Sequence, residues 1–384
     1  MTGPTGGSTG QSRADGRRVL VSGGSMGGLF AGHALFDAGH DVRVFERSAG
    51  GLSERGGGIV AQPRMRRFLA DHGIADPAAL VTTTDGRQYL AADGSVRREY
   101  DEEMQFTSWD AVYRHLRGAF PDDRYRMDSE VVDDDQGGGE VTVRLADGRE
   151  ATGDLLVAAE GWRSTTRERH LPDATPEYAG YVAWRGVLPE REAPDDLAAT
   201  FADAFTFFDG GGELVLAYLI PGSDGSTDPG ERRLNWVWYD TVSDLDRVLT
   251  DASGRRREGA IPPGGLRPDV VADLRAATER HPPRFRRLVR ATDDPFVQPV
   301  VDLTVPRMRF ERTCLLGDAA FVARPHTAAG TEKAARDAVA LSTAIRDRDG
   351  LDAALDAWER SQLRYGRELV ERGKRMGGDR LGGD

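Results

Sequence analysis

Three short stretches carry residue types whose spacing can do chemistry. The first is Gly23-Gly24-Ser25-Met26-Gly27-Gly28, a G-x-S-x-x-G form of the dinucleotide fingerprint with Ser25 at the middle glycine position. Glycines in such a turn let the backbone approach a pyrophosphate held on the N-terminus of the next helix. Glu46 lies 18 residues past Gly28, close to the roughly 20 expected of a carboxylate that binds a ribose. An acid there disfavours a 2′-phosphate, so the site suits FAD or NAD rather than NADP. The second stretch is Glu160-Gly161-Trp162-Arg163, after the apolar run Leu155-Leu156-Val157. The third is Cys314 to Ala320 with Gly317-Asp318 at its centre, followed by Pro325, Gly330, Ala334 and Asp337-Ala338. Alone, each of the latter two reads as a strand running into a loop. Seven scattered histidines and one cysteine offer no metal-ligand cluster, so no metal is expected.

The elements that must position these stretches are visible in the periodicity. Val19-Leu20-Val21, the glycine turn, a helical pattern from Leu29 to Leu35 and an alternating strand from Asp41 to Phe45 make a βαβ unit. A parallel sheet therefore opens the chain. Residues 63–72 predict a helix, and Val141–Leu145 with Asp147-Gly148 predicts a hairpin feeding the Leu155 strand. From Tyr178 to Tyr239 aromatic-rich strands separated by Gly and Pro suggest an antiparallel sheet. Residues 267–290 read as helical and charged, 330–345 predict an Ala-rich helix, and 351–372 a last helix before a Gly-rich tail. Residues 133–139 read as an exposed loop, and His33 and His40 as surface positions.

Composition narrows the function classes. The chain has 384 residues, 39% of them hydrophobic, which is enough for a sizeable core of two or three domains. Acidic residues outnumber basic ones 63 to 51, and the net charge of −12 argues against binding nucleic acid. Lys occurs only as Lys333 and Lys374, and Asn only as Asn235. Cys314 reads as a small core residue. No apolar run reaches the ~20 residues of a membrane span. Without a signal-like start, a cytoplasmic location is expected, with residues 1–16 as a disordered tail.

Taken in order, the three stretches resemble the single-component FAD-dependent aromatic hydroxylases over about residues 18–345. The likeness is strongest to the branch that hydroxylates dihydroxypyridines. It is carried by Gly57-Gly58-Ile59-Val60-Ala61-Gln62-Pro63, Phe106-Thr107-Ser108-Trp109-Asp110, the run Tyr178 to Leu188 and Arg324-Pro325-His326-Thr327-Ala328-Ala329-Gly330. Four positions depart from the family pattern. Glu160 replaces an Asp, Ala328 a Gly, Glu332 an Asn, and Trp109 an Arg that elsewhere meets the pyrophosphate, a contact Arg114 or Arg163 would have to replace.

The resemblance implies an α/β fold: a Rossmann-like FAD-binding domain with a parallel sheet (17–80, 100–177 and 300–348) and a substrate domain on an antiparallel or mixed sheet with helices (81–99 and 178–299). Residues 349–384 would form a C-terminal helix and tail. It implies that Gly23, Gly24, Ser25, Met26, Gly28, Glu46 and Arg47 hold the ADP half of FAD, and that Glu160 and Gly161 lie near the pyrophosphate. Asp318 would take the ribityl chain, with an N-cap as its plain structural alternative. Gly58, Ile59, Pro325, Ala328, Ala329 and Gly330 would line the flavin ring. NAD(P)H would visit transiently, and O₂ would add to the reduced flavin to give a C4a-hydroperoxide that hydroxylates a small aromatic substrate. His326 is the candidate base, since an imidazole titrates near neutrality, with a hydrogen-bonded loop role as the alternative. Tyr218 is the second catalytic candidate. Phe207, Tyr218, Trp238, Arg185 and Pro325 are the expected substrate contacts; Arg185 could instead pair with an acidic neighbour. A monomer or homodimer is expected. A flavin-linked dehydrogenase or oxidase, and a non-catalytic flavin binder, remain the alternatives.

Overall fold

The computed structural model describes residues 16–50, 52 and 56–381. The expected disordered tail lies outside these except for Gly16, as does part of the glycine-rich segment 50–58. Two large sheets and a smaller three-stranded one build the molecule. The first has six strands in the order Arg309–Phe310, Thr313–Leu315, Leu155–Ala158, Arg18–Ser22, Asp41–Phe45, Tyr125–Arg126. All neighbours are parallel except the first pair. Its central strands are buried on both faces, which is why Val19–Val21 and Leu155–Val157 read as unbroken apolar runs. Helices Met26–Asp37 and Gly330–Arg346 pack together against it through Leu29, Ala34, Ala338 and Leu341.

The second sheet has eight strands in the order Phe296–Asp302, Glu177–Pro189, Arg233–Asp240, Glu213–Ile220, Ala204–Gly210, Thr82–Leu90, Val96–Ser108, Gly58–Val60. It is antiparallel except where Ala204–Gly210 runs parallel to Thr82–Leu90. Period-two alternation sorts its aromatics. Trp184, Trp236, Trp238 and Phe208 face helices Asp195–Ala202, Pro268–Ala277 and Pro283–Ala291, while Tyr181, Val237, Tyr239, Phe207 and Tyr218 face inward. Trp238 therefore cannot touch a substrate on the inner face, and its expected role is corrected.

Residues 267–290 are helical as expected, in two helices broken at Pro282. Three other expectations change. Residues 133–137 belong to the strand Val131–Gly137 of a three-stranded sheet. Within that strand the Asp134 carboxylate is fully buried against Arg169 (2.6 Å), His170 (2.8 Å) and Thr313 (2.9 Å). His33 is buried and bonds the Leu116 carbonyl at 2.8 Å, so it is not a surface residue. The last helix runs on to Leu381, through Gly373, Gly377 and Gly378 that had read as a tail. No helix among the described residues is long and apolar enough to cross a membrane.

Candidate active site

Residues from both large sheets line one cavity of about 850 Å³. At one end the strand Arg18–Ser22 turns into helix Met26–Asp37. Gly23 has φ of +98° there, and a Cβ on it would strike the Ala159 carbonyl, so only glycine closes this turn. The helix has no acidic residue in its first turn, and its N-cap residue Ser25 makes no side-chain cap bond. Both features leave the positive helix end and the serine hydroxyl, which lines the cavity, suited to meet an anion. Glu46, 5% exposed, accepts from the backbone N–H of Gly24 (2.8 Å) and Ser48 (2.8 Å), which fixes its carboxylate at the cavity wall. Arg47 lines the same end. Gly24 and Gly28 do not reach the wall; they shape the turn, since a Cβ at 28 would collide with the Gly23 carbonyl.

The departures from the family pattern acquire physical reasons. The longer Glu160 carboxylate accepts from Ser22 Oγ (2.5 Å), Ser164 Oγ (2.6 Å), Thr166 N (3.0 Å) and Thr166 Oγ1 (2.9 Å), tying the strand end to helix Thr165–His170. Glu332 turns away from its own helix to accept from Arg64 N (3.0 Å) and Met65 N (3.2 Å), capping helix Pro63–Asp71. Ala328 has φ of +51°, a left-handed conformation in which an alanine is strained, at the position where the pattern has glycine. Trp109 lines the cavity and stacks on Tyr113. Arg114 pairs with Asp110 and is not at the wall, whereas Arg163 is at the wall and pairs with Glu258 (2.6 Å).

In the middle of the cavity Asp318 projects from the short helical turn Gly317–Ala319, open to solvent on the cavity side. Crowding by protein around its carboxyl raises its pKa above the usual carboxylate value; Lys333 opposes the shift and Asp337 adds to it. Lys333 was missed as a site residue, and Asp337, at the end of the third stretch, was given no role. They form a buried ion pair (2.6 Å) in which Lys333 Nζ donates to the Gly317 carbonyl (3.0 Å) and Gly317 N donates to Asp337 (3.0 Å). The turn that carries Asp318 is thus pinned from below. The signal in the sequence was a lone lysine four residues before an aspartate on a helix.

The far end is a chamber of rings. Tyr89 stacks on Phe207 (5.0 Å between centroids), Phe205 meets Phe207 (4.1 Å), and Tyr218 stacks on Phe106 (4.1 Å). Phe207, Tyr218 and Arg185 line the cavity, as do Pro325, His326, Ala329 and Gly330 opposite. Gly58 and Ile59 form the edge between chamber and middle. Burial pushes the Tyr218 hydroxyl well above the ordinary tyrosine range, so at neutral pH it is a hydrogen-bond donor and not a base. Arg185 donates to Gln298 Oε1 (3.2 Å) and the Gly58 carbonyl (3.3 Å) and has no carboxylate partner among the described residues, so the expected acidic neighbour is not there. His326 Nε2 sits 2.9 Å from the Tyr181 hydroxyl, and its ring lies 4.2 Å from that of Tyr239. Asn235, the only asparagine, was also missed: its buried Oδ1 accepts from Gly58 N at 2.7 Å and holds that edge in place.

A cavity with a dinucleotide turn, a ribose-type acid, a central carboxylate and a ring chamber fits FAD along its length. Comparison with known proteins agrees. A family model for an FAD binding domain matches residues 17–206, and one described as FAD binding domain-like matches 178–302. The chain is 37% identical over 364 residues to 2,6-dihydroxypyridine 3-monooxygenase of Paenarthrobacter nicotinovorans, covering 94% of this chain and 90% of that protein. It superposes on the structure of 2,6-dihydroxypyridine-3-hydroxylase from Arthrobacter nicotinovorans with a TM-score of 0.89 and 35% identity, covering 96% and 94% of the two chains. Klebsiella pneumoniae HpxO, solved with FAD and uric acid, shares the fold at a TM-score of 0.77 and 24% identity, covering 96% and 89%. The chain belongs to the single-component FAD-dependent aromatic hydroxylases and is an FAD-dependent monooxygenase.

Proposed function

We propose that the protein uses NAD(P)H and O₂ to hydroxylate a small hydroxylated aromatic or N-heteroaromatic ring, with a dihydroxypyridine as the first compound to try. The observation that carries this reading is the continuity of one cavity from Glu46, past Asp318, to the aromatic chamber. Glu46, Arg47 and the Ser25 end of the helix would hold the ADP half of FAD, Asp318 its ribityl chain, and Pro325–Gly330 its ring system. Bound FAD, once reduced, supplies the activation of O₂ and the transfer of one oxygen atom to the ring. The chain's own work is to bind, orient, exclude water and move a proton.

Phe205, Phe207 and Tyr89 offer faces on which a flat ring stacks and from which water is displaced. Arg185 and Gln298 offer donors to ring oxygens or nitrogens, which stabilise the ionised form of a ring hydroxyl. His326 accepts the hydroxyl proton, which makes the ring electron-rich at the moment of attack. The Tyr181 contact at Nε2 orients that imidazole.

The test is a screen of dihydroxypyridines and phenols for compounds that stimulate NAD(P)H oxidation by the purified yellow protein. A hit that yields a ring-hydroxylated product supports the reading. A protein that oxidises NAD(P)H equally with and without every ring, and forms no hydroxylated product, would overturn it.

A further inference from the structure

Glycine is a poor helix former, yet helix Leu351–Leu381 carries Gly366, Gly373 and Gly377 in its buried positions, seven and four residues apart and hence on one face. That face lies on the loop that bears His326. A Cβ at 366 would enter the Phe321 ring. At 373 it would stand 3.0 Å from the Arg324 backbone nitrogen and 3.3 Å from the Thr327 side chain. At 377 it would stand 2.6 Å from the Arg324 guanidinium and 3.0 Å from the Tyr181 hydroxyl. Gly378 next door has nothing within 4 Å. Beside this seam Met376 reaches the cavity wall itself.

What the seam presses on leads directly to the site. Arg324 grips Asp302 through Nε (3.1 Å) and Nη2 (2.8 Å), both side chains largely buried, and its guanidinium lies 5.5 Å from the Tyr181 ring centre. Tyr181 in turn meets His326 Nε2. We propose that the glycine seam of the C-terminal helix is a positioning element for oxygen transfer: Gly377, through Arg324 and Tyr181, sets the His326 imidazole against the ring chamber, while Met376 closes the wall behind it. The inference rests on the monooxygenase reading and on His326 acting at the substrate. It assigns a role in the reaction to a segment that neither the dinucleotide motif nor the ring chamber contains.

A helix that only supported the fold would affect stability, not the partition between hydroxylation and wasteful reoxidation. The readout is therefore product formed per NAD(P)H oxidised in the FAD-loaded, full-length enzyme, with the parent measured first. A parent that forms no product refutes the functional reading, not the positioning role. With a coupled parent, Gly377→Ala is expected to lower product per NAD(P)H several-fold at unchanged flavin content and unchanged rate of flavin reduction. Gly378→Ala, which gains the same helix propensity without a steric neighbour, should couple like the parent. In a double-mutant cycle Gly377→Ala should cost little more once Tyr181→Phe has removed the hydroxyl it displaces. Met376→Ala, which removes atoms and cannot overpack, should also uncouple, and it keeps the idea testable if Gly377→Ala fails to fold. Coupling equal to the parent in both Gly377→Ala and Met376→Ala would overturn the proposal. So would effects of Gly377→Ala and Tyr181→Phe that simply multiply.

Discussion

At the scale of single residues, the proposed reading gives Asp318 the work of holding and His326 that of reacting, and each assignment can be tested alone. Asp318 stands in mid-cavity on a turn pinned by Lys333 and Asp337. Replacing it with alanine removes an acceptor without disturbing that pin, so Asp318→Ala should fold and purify largely colourless. Full flavin content, measured by absorbance after desalting, would refute its assignment to the ribityl chain. His326→Gln should keep its flavin and its rate of reduction by NAD(P)H, but lose about 10²- to 10⁴-fold in the oxygen-transfer step, the usual cost of a lost general base. The deficit should shrink at high pH, where solvent ionises the ring hydroxyl unaided. Transfer at the parent rate from pH 6 to 9, in single-turnover experiments, would return His326 to a structural role. Several residues at the wall were legible because backbone-shaping motifs are local: Gly23 and Glu46 announce themselves by spacing, while Asp318 stood out only through the family resemblance. Trp238 was misread because the choice of sheet face depends on register, and one position of slip reverses it. Asn235 and Lys333 were overlooked because their partners, Gly58 and Gly317, are 177 and 16 residues away.

At the scale of elements, the three-stranded sheet shows how an acidic run can be structure. Asp133-Asp134-Asp135 resembles a solvated loop, yet Asp134 joins its strand to helix Thr165–His170 and to Thr313 of the parallel sheet. Burial by itself would raise the Asp134 pKa, but hydrogen bonds from His170 and Arg169 outweigh it and hold the carboxyl at about 2. The unfolded value is near 3.9, so the folded pKa is depressed. The stabilisation it represents, about 2 kcal/mol, is then fully present above the unfolded pKa and is lost as pH falls toward 2. Asp134→Asn should therefore destabilise by about 2 kcal/mol or more at pH 7, with the gap to the parent narrowing by about 1 kcal/mol at pH 3. Urea unfolding of both proteins at the two pH values checks this, and a gap independent of pH would contradict it. The C-terminal helix was read nine residues too short for a related reason, 372 against 381. Glycines usually end helices, but here Phe321, Arg324 and Tyr181 fill the space beside Gly366 and Gly377, a packing the local sequence does not reveal.

At the scale of the whole molecule, the βαβ opening and the later aromatic strands were legible in order along the chain, and the parallel and mixed sheets follow from them. Their meeting was not. Nothing in the local pattern says that strand Gly58–Val60, close in sequence to the dinucleotide turn, pairs at the edge of the other sheet and brings the two ends of the cavity together. On the proposed reading, that junction joins the nucleotide end and the ring chamber in one reaction space. The most direct measurement is hydroxylation of a dihydroxypyridine by the FAD-loaded protein with NAD(P)H under isotopically heavy dioxygen, following product mass and NAD(P)H together. The account predicts one heavy oxygen atom in the product for each NAD(P)H oxidised. Ring oxidation without heavy oxygen in the product, or NAD(P)H consumption that yields only hydrogen peroxide with every ring tested, would contradict it.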